Sequence, residues 1–290
     1  MQRIADVLAL RATDPLHAAT QFLGPAVPSN ITRTFGGQVA GQALRAAQHT
    51  VEDKLVHSLH CYFVAPSDST KPLELRVEKL RDGRSFCVRE TRAYQDGDLK
   101  NVMIASFHRP GDLGPSHAAP MPRVPDAETL EPAPAHAASA RVVLGDWAEW
   151  DIRVVPDRDM DIPSPTGRGF GDAWLRNTAA DLPDDDAFHQ AALTYMTDML
   201  LLRATLIPHS GARVQMASLD HVVWFFRPLR VTDWLLYHWI RHRRKMARGS
   251  RAASFTTTTA SSSQRRPRKD SRARPLSNTG LKPCTLREGL

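Results

Sequence analysis

Apolar and polar residues alternate over much of residues 56–108, the period of two that gives a strand one apolar and one polar face. Leu73, Leu75 and Val77 interleave with Glu74, Arg76 and Glu78. Val56–Ala65 is rich in β-branched and aromatic side chains, and Ser85–Gln95 and Leu99–His108 flank the hairpin signal Asp96-Gly97-Asp98. This pattern predicts four long antiparallel strands in a meander. Ahead of them the period changes. After Phe35-Gly36-Gly37-Gln38 the run VAGQALRAAQHTV keeps small and apolar residues on one side, which predicts a helix packed closely inside something else. Residues 1–12 read as a short amphipathic helix and His17–Leu23 as a strand.

Residues 110–142 are crowded with proline and alanine and show no sustained period, so they read as a linker. Then the pattern starts again. Trp147–Val155 and Gly171–Thr178 are strand-like. Asp184–Thr205 predicts a helix whose first turn is acidic, where the helix dipole favours negative charge. Val214–Phe226 reads as a long strand, and Thr232–Tyr237 begins another. One architecture therefore occurs twice: strands, a buried helix, then an antiparallel meander. The expected fold class is α+β, with repeats at 1–109 and 143–237 and the second meander cut short.

Length agrees, since 290 residues allow about two domains. No apolar run reaches the ~18 residues of a membrane span. The start carries Asp6 and Asp14 and lacks a signal-peptide core, so a cytoplasmic protein is expected. Cys61, Cys87 and Cys284 have no metal-ligand spacing, so neither a structural zinc site nor a disulfide framework is expected. The net charge of +7 first points to nucleic acid. Its distribution withdraws that reading. Residues 238–290 hold 14 basic and two acidic side chains, and residues 1–237 hold 24 basic and 29 acidic. The body is mildly acidic, and the basic segment has the composition of a disordered tail. No nucleic-acid or membrane partner is expected.

Ordered motifs sharpen the picture. F-G-G-Q stands at Phe35–Gln38, G-Q-A-L at Gly41–Leu44 and V-H-S-L-H-C-Y-F-V at Val56–Val64. S-F-C-V-R follows at Ser85–Arg89 and A-S-F at Ala105–Phe107. The second half supplies Y-M-T-D at Tyr195–Asp198, S-L-D-H-V-V-W-F at Ser218–Phe225, R-P at Arg227–Pro228 and W-L-L-Y at Trp234–Tyr237. In this order and spacing, residues 20–237 resemble the type II (TesB-like) acyl-CoA thioesterases. The resemblance implies a double hotdog, two long helices each wrapped by an antiparallel sheet. It also implies hydrolysis of acyl-CoA to free acid and CoA, without metal or redox cofactor, by a homo-oligomer. In that family an Asp on the second helix, a Thr or Ser on the following strand and a Gln on the last strand orient the hydrolytic water. The first two map onto Asp198 and Ser218. Gly36 and Gly37, at a Gly-rich helix start, suit an oxyanion contact by chemistry alone. They equally suit close packing of that helix, and both readings stay open.

Other residues invite chemistry less. His57, His60 and His221 lie on strands where ordinary sheet roles are common. Asp220 and His221 are strand neighbours, which point to opposite faces and so make no triad. Cys61 and Cys87 read as buried strand residues.

The family Gln has no counterpart in this chain. After W-L-L-Y the family continues through two strands ending near Q-E-G, whereas this chain turns basic. A shifted frame supplies the missing pattern. With Pro267 ending in C and Arg268–Ser271 encoded AGG-AAG-GAC-TCN, the third-base frame reads Gln-Glu-Gly-Leu. The Thr256–Thr259 run becomes codons for Asp, Asn, His or Tyr. A frame shift just after Tyr237 is the resulting hypothesis. The alternative is a hotdog protein that binds acyl-CoA but hydrolyses it poorly for want of the Gln.

Overall fold

The computed structural model describes residues 3–13, 20–28, 33–111, 121–132, 148–156, 170–206 and 218–240. Two buried helices organise it. Helix α2 (Gly36–Gln48) follows a short α1 (Ile4–Val7), and α3 spans Asp186–Leu206. Every α2 residue from Gly37 to Leu44 is buried, as its small and apolar composition requires. Its partner α3 starts two residues after the expected point because Asp185 caps it. The Asp185 carboxylate accepts the Ala187 and Phe188 N–H groups at 3.0 and 3.3 Å, a contact worth about 1 kcal/mol.

The two helices run antiparallel. At one end Gln48 Nε2 donates to the Ala187 carbonyl at 2.8 Å, and Arg45 pairs with Asp185 at 3.2 Å. At mid-length Gly41 abuts Tyr195 and the Ala191 carbonyl. At the other end the first turn of α2 meets α3 at Tyr195 and Asp198. The interface is close because glycine and alanine line it.

The strands wrap this pair. Strands β1 (Arg11–Ala12), β2 (Gln21–Gly24), β3 (Leu55–Phe63), β4 (Leu73–Asp82), β5 (Phe86–Gln95) and β6 (Asp98–His108) belong to the first repeat. The β5–β6 turn has positive φ at Asp96 (53°) and Gly97 (85°), as the sequence signal expects of a tight hairpin. Strands β7 (Trp150–Val154), β8 (Phe170–Asn177), β9 (Asp220–Trp224) and β10 (Leu235–Ile240) belong to the second. One sheet has the order β1-β2-β4-β5-β6-β3-β9 and the other β10-β8-β7. Strand β9 thus crosses into the first repeat's sheet, with Cys61 opposite His221. All the pairings are antiparallel.

One apolar core serves both repeats. Leu44, Leu59 and Phe107 from the first share it with Leu175, Met196 and Tyr237 from the second. Each such side chain contributes about 1.5–3 kcal/mol on burial. The repeats therefore cannot fold as independent beads.

Two expectations shift in detail. Part of the Pro/Ala-rich stretch is laid on the smaller sheet. The Pro125 carbonyl accepts the Trp174 indole N–H at 2.9 Å, and Arg153 donates to the Ala127 and Leu130 carbonyls. Strand β10 also continues past Tyr237, because His-Trp-Ile suits a strand as well as Leu-Leu-Tyr does. His238 Nδ1 lies 2.7 Å from the buried Asp172 carboxylate. The first part of the expected strand at Val214–Phe226, and the basic segment after Ile240, lie outside the described residues.

Candidate active site

Asp198 sits on the fourth turn of α3 and is 1% exposed. A carboxylate so buried is costly unless polar groups meet it. Two do. The Ser218 hydroxyl, just ahead of β9, donates to Asp198 Oδ1 at 3.0 Å. The first turn of α2 closes on the other oxygen. A methyl group built on Gly36 would lie 2.6 Å from Asp198 Oδ2 and 3.1 Å from the Phe63 ring. The positive end of the α2 dipole therefore faces the carboxylate, a favourable arrangement for negative charge. Among the described residues no Lys or Arg pairs with Asp198.

The structure thus brings Asp198, Ser218 and Gly36 together. Gly37 is different. A side chain there would run into the Tyr195 carbonyl and the Phe35 ring, so its bareness lets α2 and α3 touch. The first N–H groups of any helix lack an internal acceptor, and here Gly36 and Gly37 carry two of them.

The histidines separate by face. His57 lies 2.8 Å from Ser106 Oγ and packs edge-on against Phe86. His60 pairs with Asp220 at 3.5 Å on the outer face. Burial and the neighbouring His108 push the His57 imidazole below its ordinary pKa. His221 instead faces inward and is 2% exposed, with Nε2 at 3.0 Å from Thr197 Oγ1. The strand argument that separates Asp220 from His221 is therefore correct, yet it also hid an inward histidine beside the site. Cys61 is no nucleophile at neutral pH. Full burial pushes its thiol up to about 12, against a smaller opposing contact from Asn101. Burial also raises Cys87, with Arg89 and Lys54 opposing.

Sequence reasoning missed two neighbours, Thr197 and Tyr237, and set a third, His221, aside as an ordinary sheet residue. The Tyr237 hydroxyl donates to the Thr197 carbonyl at 3.1 Å. The available signal was their membership in the motifs Y-M-T-D, S-L-D-H and W-L-L-Y. Among the described residues no three His, Cys, Asp or Glu side chains converge as a metal-ligand set would. None of the described helices is long and apolar enough to cross a membrane.

Two buried helices wrapped by antiparallel sheets, with a buried acid and a hydroxyl meeting at a helix start, define a double-hotdog protein. Family comparisons agree. The chain matches the acyl-CoA thioesterase N-terminal domain over residues 26–108 and the acyl-CoA thioesterase family over 149–264, the second match running past Tyr237. It is 34% identical to acyl-coenzyme A thioesterase 8 of Mus musculus over 223 residues, covering 71% of this chain and 69% of that protein. It is 31% identical to acyl-CoA thioesterase 2 of Haemophilus influenzae over 240 residues, covering 74% and 79%. The solved structure of acyl-CoA thioesterase II TesB2 from Mycobacterium marinum superposes with a TM-score of 0.67 at 37% identity, covering 82% of this chain and 83% of that one. A hot dog fold protein from Alicyclobacillus acidocaldarius, at 21% identity and a TM-score of 0.67, supports the fold alone. The chain belongs to the acyl-CoA thioesterase family.

Proposed function

We propose that the protein hydrolyses fatty acyl-CoA to free acid and CoA with a water held between Asp198 and Ser218. The observation that carries this reading is the hydrogen bond between buried Asp198 and half-buried Ser218 at the start of α2. A thioester carbonyl is electrophilic, so water needs orientation and a base more than a covalent nucleophile. Asp198 takes one water proton while Ser218 Oγ accepts the other as a hydrogen bond. The water oxygen adds to the carbonyl carbon, and charge develops on the carbonyl oxygen. The α2 start meets that charge, with the Gly36 and Gly37 N–H groups as the donors. The C–S bond then breaks. The CoA thiolate, a far weaker base than an alkoxide, leaves readily and recovers the proton from Asp198.

The test is thiol release from a medium- or long-chain acyl-CoA. Steady release at a rate that scales with enzyme supports hydrolysis. Saturable acyl-CoA binding without release supports the binding-only alternative instead.

The two glycines separate by their effects. Gly36→Ala keeps the backbone N–H but presses a methyl onto Asp198 Oδ2, and it is expected to lower kcat about 10²-fold by misplacing the acid. Gly37→Ala is expected to destabilise by about 1–3 kcal/mol through overpacking. Thiol-release kinetics and thermal melts of both variants check this. Equal effects of the two on both measures would refute the separation.

The same reading places the protein in cytoplasmic fatty-acid metabolism as a homo-oligomer. Exposed Tyr62, Ile104 and Trp224 on the outer sheet face support the oligomer, which sedimentation equilibrium tests.

A further inference from the structure

We propose that Thr197 is a positioning residue of the reaction, held from two strands by His221 and Tyr237 so that Asp198 keeps its aim. The inference rests on Asp198 being the base.

The hydrogen-bond count around Thr197 leads there. Its hydroxyl carries one proton. Oγ1 lies 3.1 Å from the Thr194 carbonyl, which can only accept, and 3.0 Å from His221 Nε2. The proton therefore goes to Thr194, and His221 donates from Nε2 into the hydroxyl oxygen. This fixes the imidazole as the Nε2–H tautomer. Burial favours the neutral ring, against the pull of Asp198 and Asp220. From the other strand Tyr237, itself 2% exposed, holds the Thr197 carbonyl. The residue before the acid is thus gripped at its side chain by β9 and at its backbone by β10.

These grips interlock with the site. Ser218 and His221 stand three apart, and they bond adjacent helix residues, Asp198 and Thr197. The S-L-D-H segment clasps the helix at two successive positions. Among the described residues the other polar ties to α3, at Ala187, His189 and Gln190, lie two turns or more from Asp198, so Thr197 carries the directional bonds nearest the acid. Misplacement of a catalytic group by about 1 Å costs about 10²-fold in rate. Apolar packing tolerates slips that a directional bond does not. A threonine hydroxyl, a buried imidazole and a buried phenol meeting here would be a costly way to fill a core.

The experiment compares Thr197→Val, Thr197→Ser, Tyr237→Phe and the double variant Thr197→Val/His221→Asn, with Asp198→Asn as reference. Valine keeps the β-branched shape and removes the hydroxyl. Serine restores the hydroxyl. Thr197→Val is expected to lower kcat about 10- to 100-fold with KM unchanged, and Thr197→Ser to return most of it. Tyr237→Phe is expected to lower kcat about 10-fold. Adding His221→Asn to Thr197→Val should cost little more, because both remove one bond. A merely structural role would change melting temperature without splitting kcat from KM and without rescue by serine. If Thr197→Val fails to fold, Tyr237→Phe and Thr197→Ser still decide. An inactive Asp198→Asn beside a fully active Thr197→Val and Tyr237→Phe overturns this inference alone. A fully active Asp198→Asn overturns the assigned base and the inference with it.

Discussion

Asp198→Asn is expected to lower kcat by about 10³-fold, within the 10²–10⁴ that a general base contributes, and to leave melting temperature unchanged or raised. The two halves of that expectation have one cause. The carboxylate is 1% exposed and, among the described residues, meets a serine hydroxyl and a helix start rather than a cation. A neutral amide of the same shape avoids the cost of burying charge and can still accept from Ser218. It cannot take a proton from water. Function and stability therefore move apart, as they do where a site is strained for its chemistry. Thiol-release kinetics and a thermal melt on the same preparation check it. A variant within threefold of the original rate would remove Asp198 from the base role.

What could be read in advance follows from how each feature is written in the chain. Strands β4, β5 and β6 carry a one-sided period of two, and their bounds fell within a few residues of expectation. Helix α2 betrayed its burial by its glycines and alanines. Asp198 became a candidate through the motif Y-M-T-D rather than through composition, since an acid on a helix fits a solvated face as readily. The pairing of β9 with β3 was not, since a strand's neighbour depends on how two distant segments meet. For the same reason the different surroundings of Gly36 and Gly37 stayed hidden. Adjacent in sequence, they point about 100° apart around the helix, one toward Asp198 and the other into the Tyr195 carbonyl. His221 was set aside because its neighbour Asp220 faces away, although its own side faces the site.

We propose that the basic segment following β10 is read out of frame, and a chain restored to the third-base frame is expected to melt higher and turn over about 10²-fold faster. Sheet order supplies the physical reason. In the first repeat β5 and β6 lie between β4 and β3. In the second, β10 and β9 take the places of β4 and β3, since β10-β8-β7 mirrors β4-β2-β1. The described order ends at β10 in one sheet and β9 in the other. Two more strands between them would join the sheets as β5 and β6 do in the first repeat. A sequence with 14 basic side chains in its last 53 residues is a poor strand former, whereas the shifted frame permits an apolar stretch and Gln-Glu-Gly-Leu at 267–271. That Gln would supply a third hydrogen bond to the water that Asp198 and Ser218 hold. Losing one such positioned polar group costs about 10²–10³-fold in comparable sites. The coding DNA gives the first check, because Arg268 encoded as CGN, or Pro267 ending in any base but C, excludes the shift. Side-by-side melts and thiol-release kinetics give the second. Equal melting temperatures and equal rates would mean that the basic segment does the work of the missing strands.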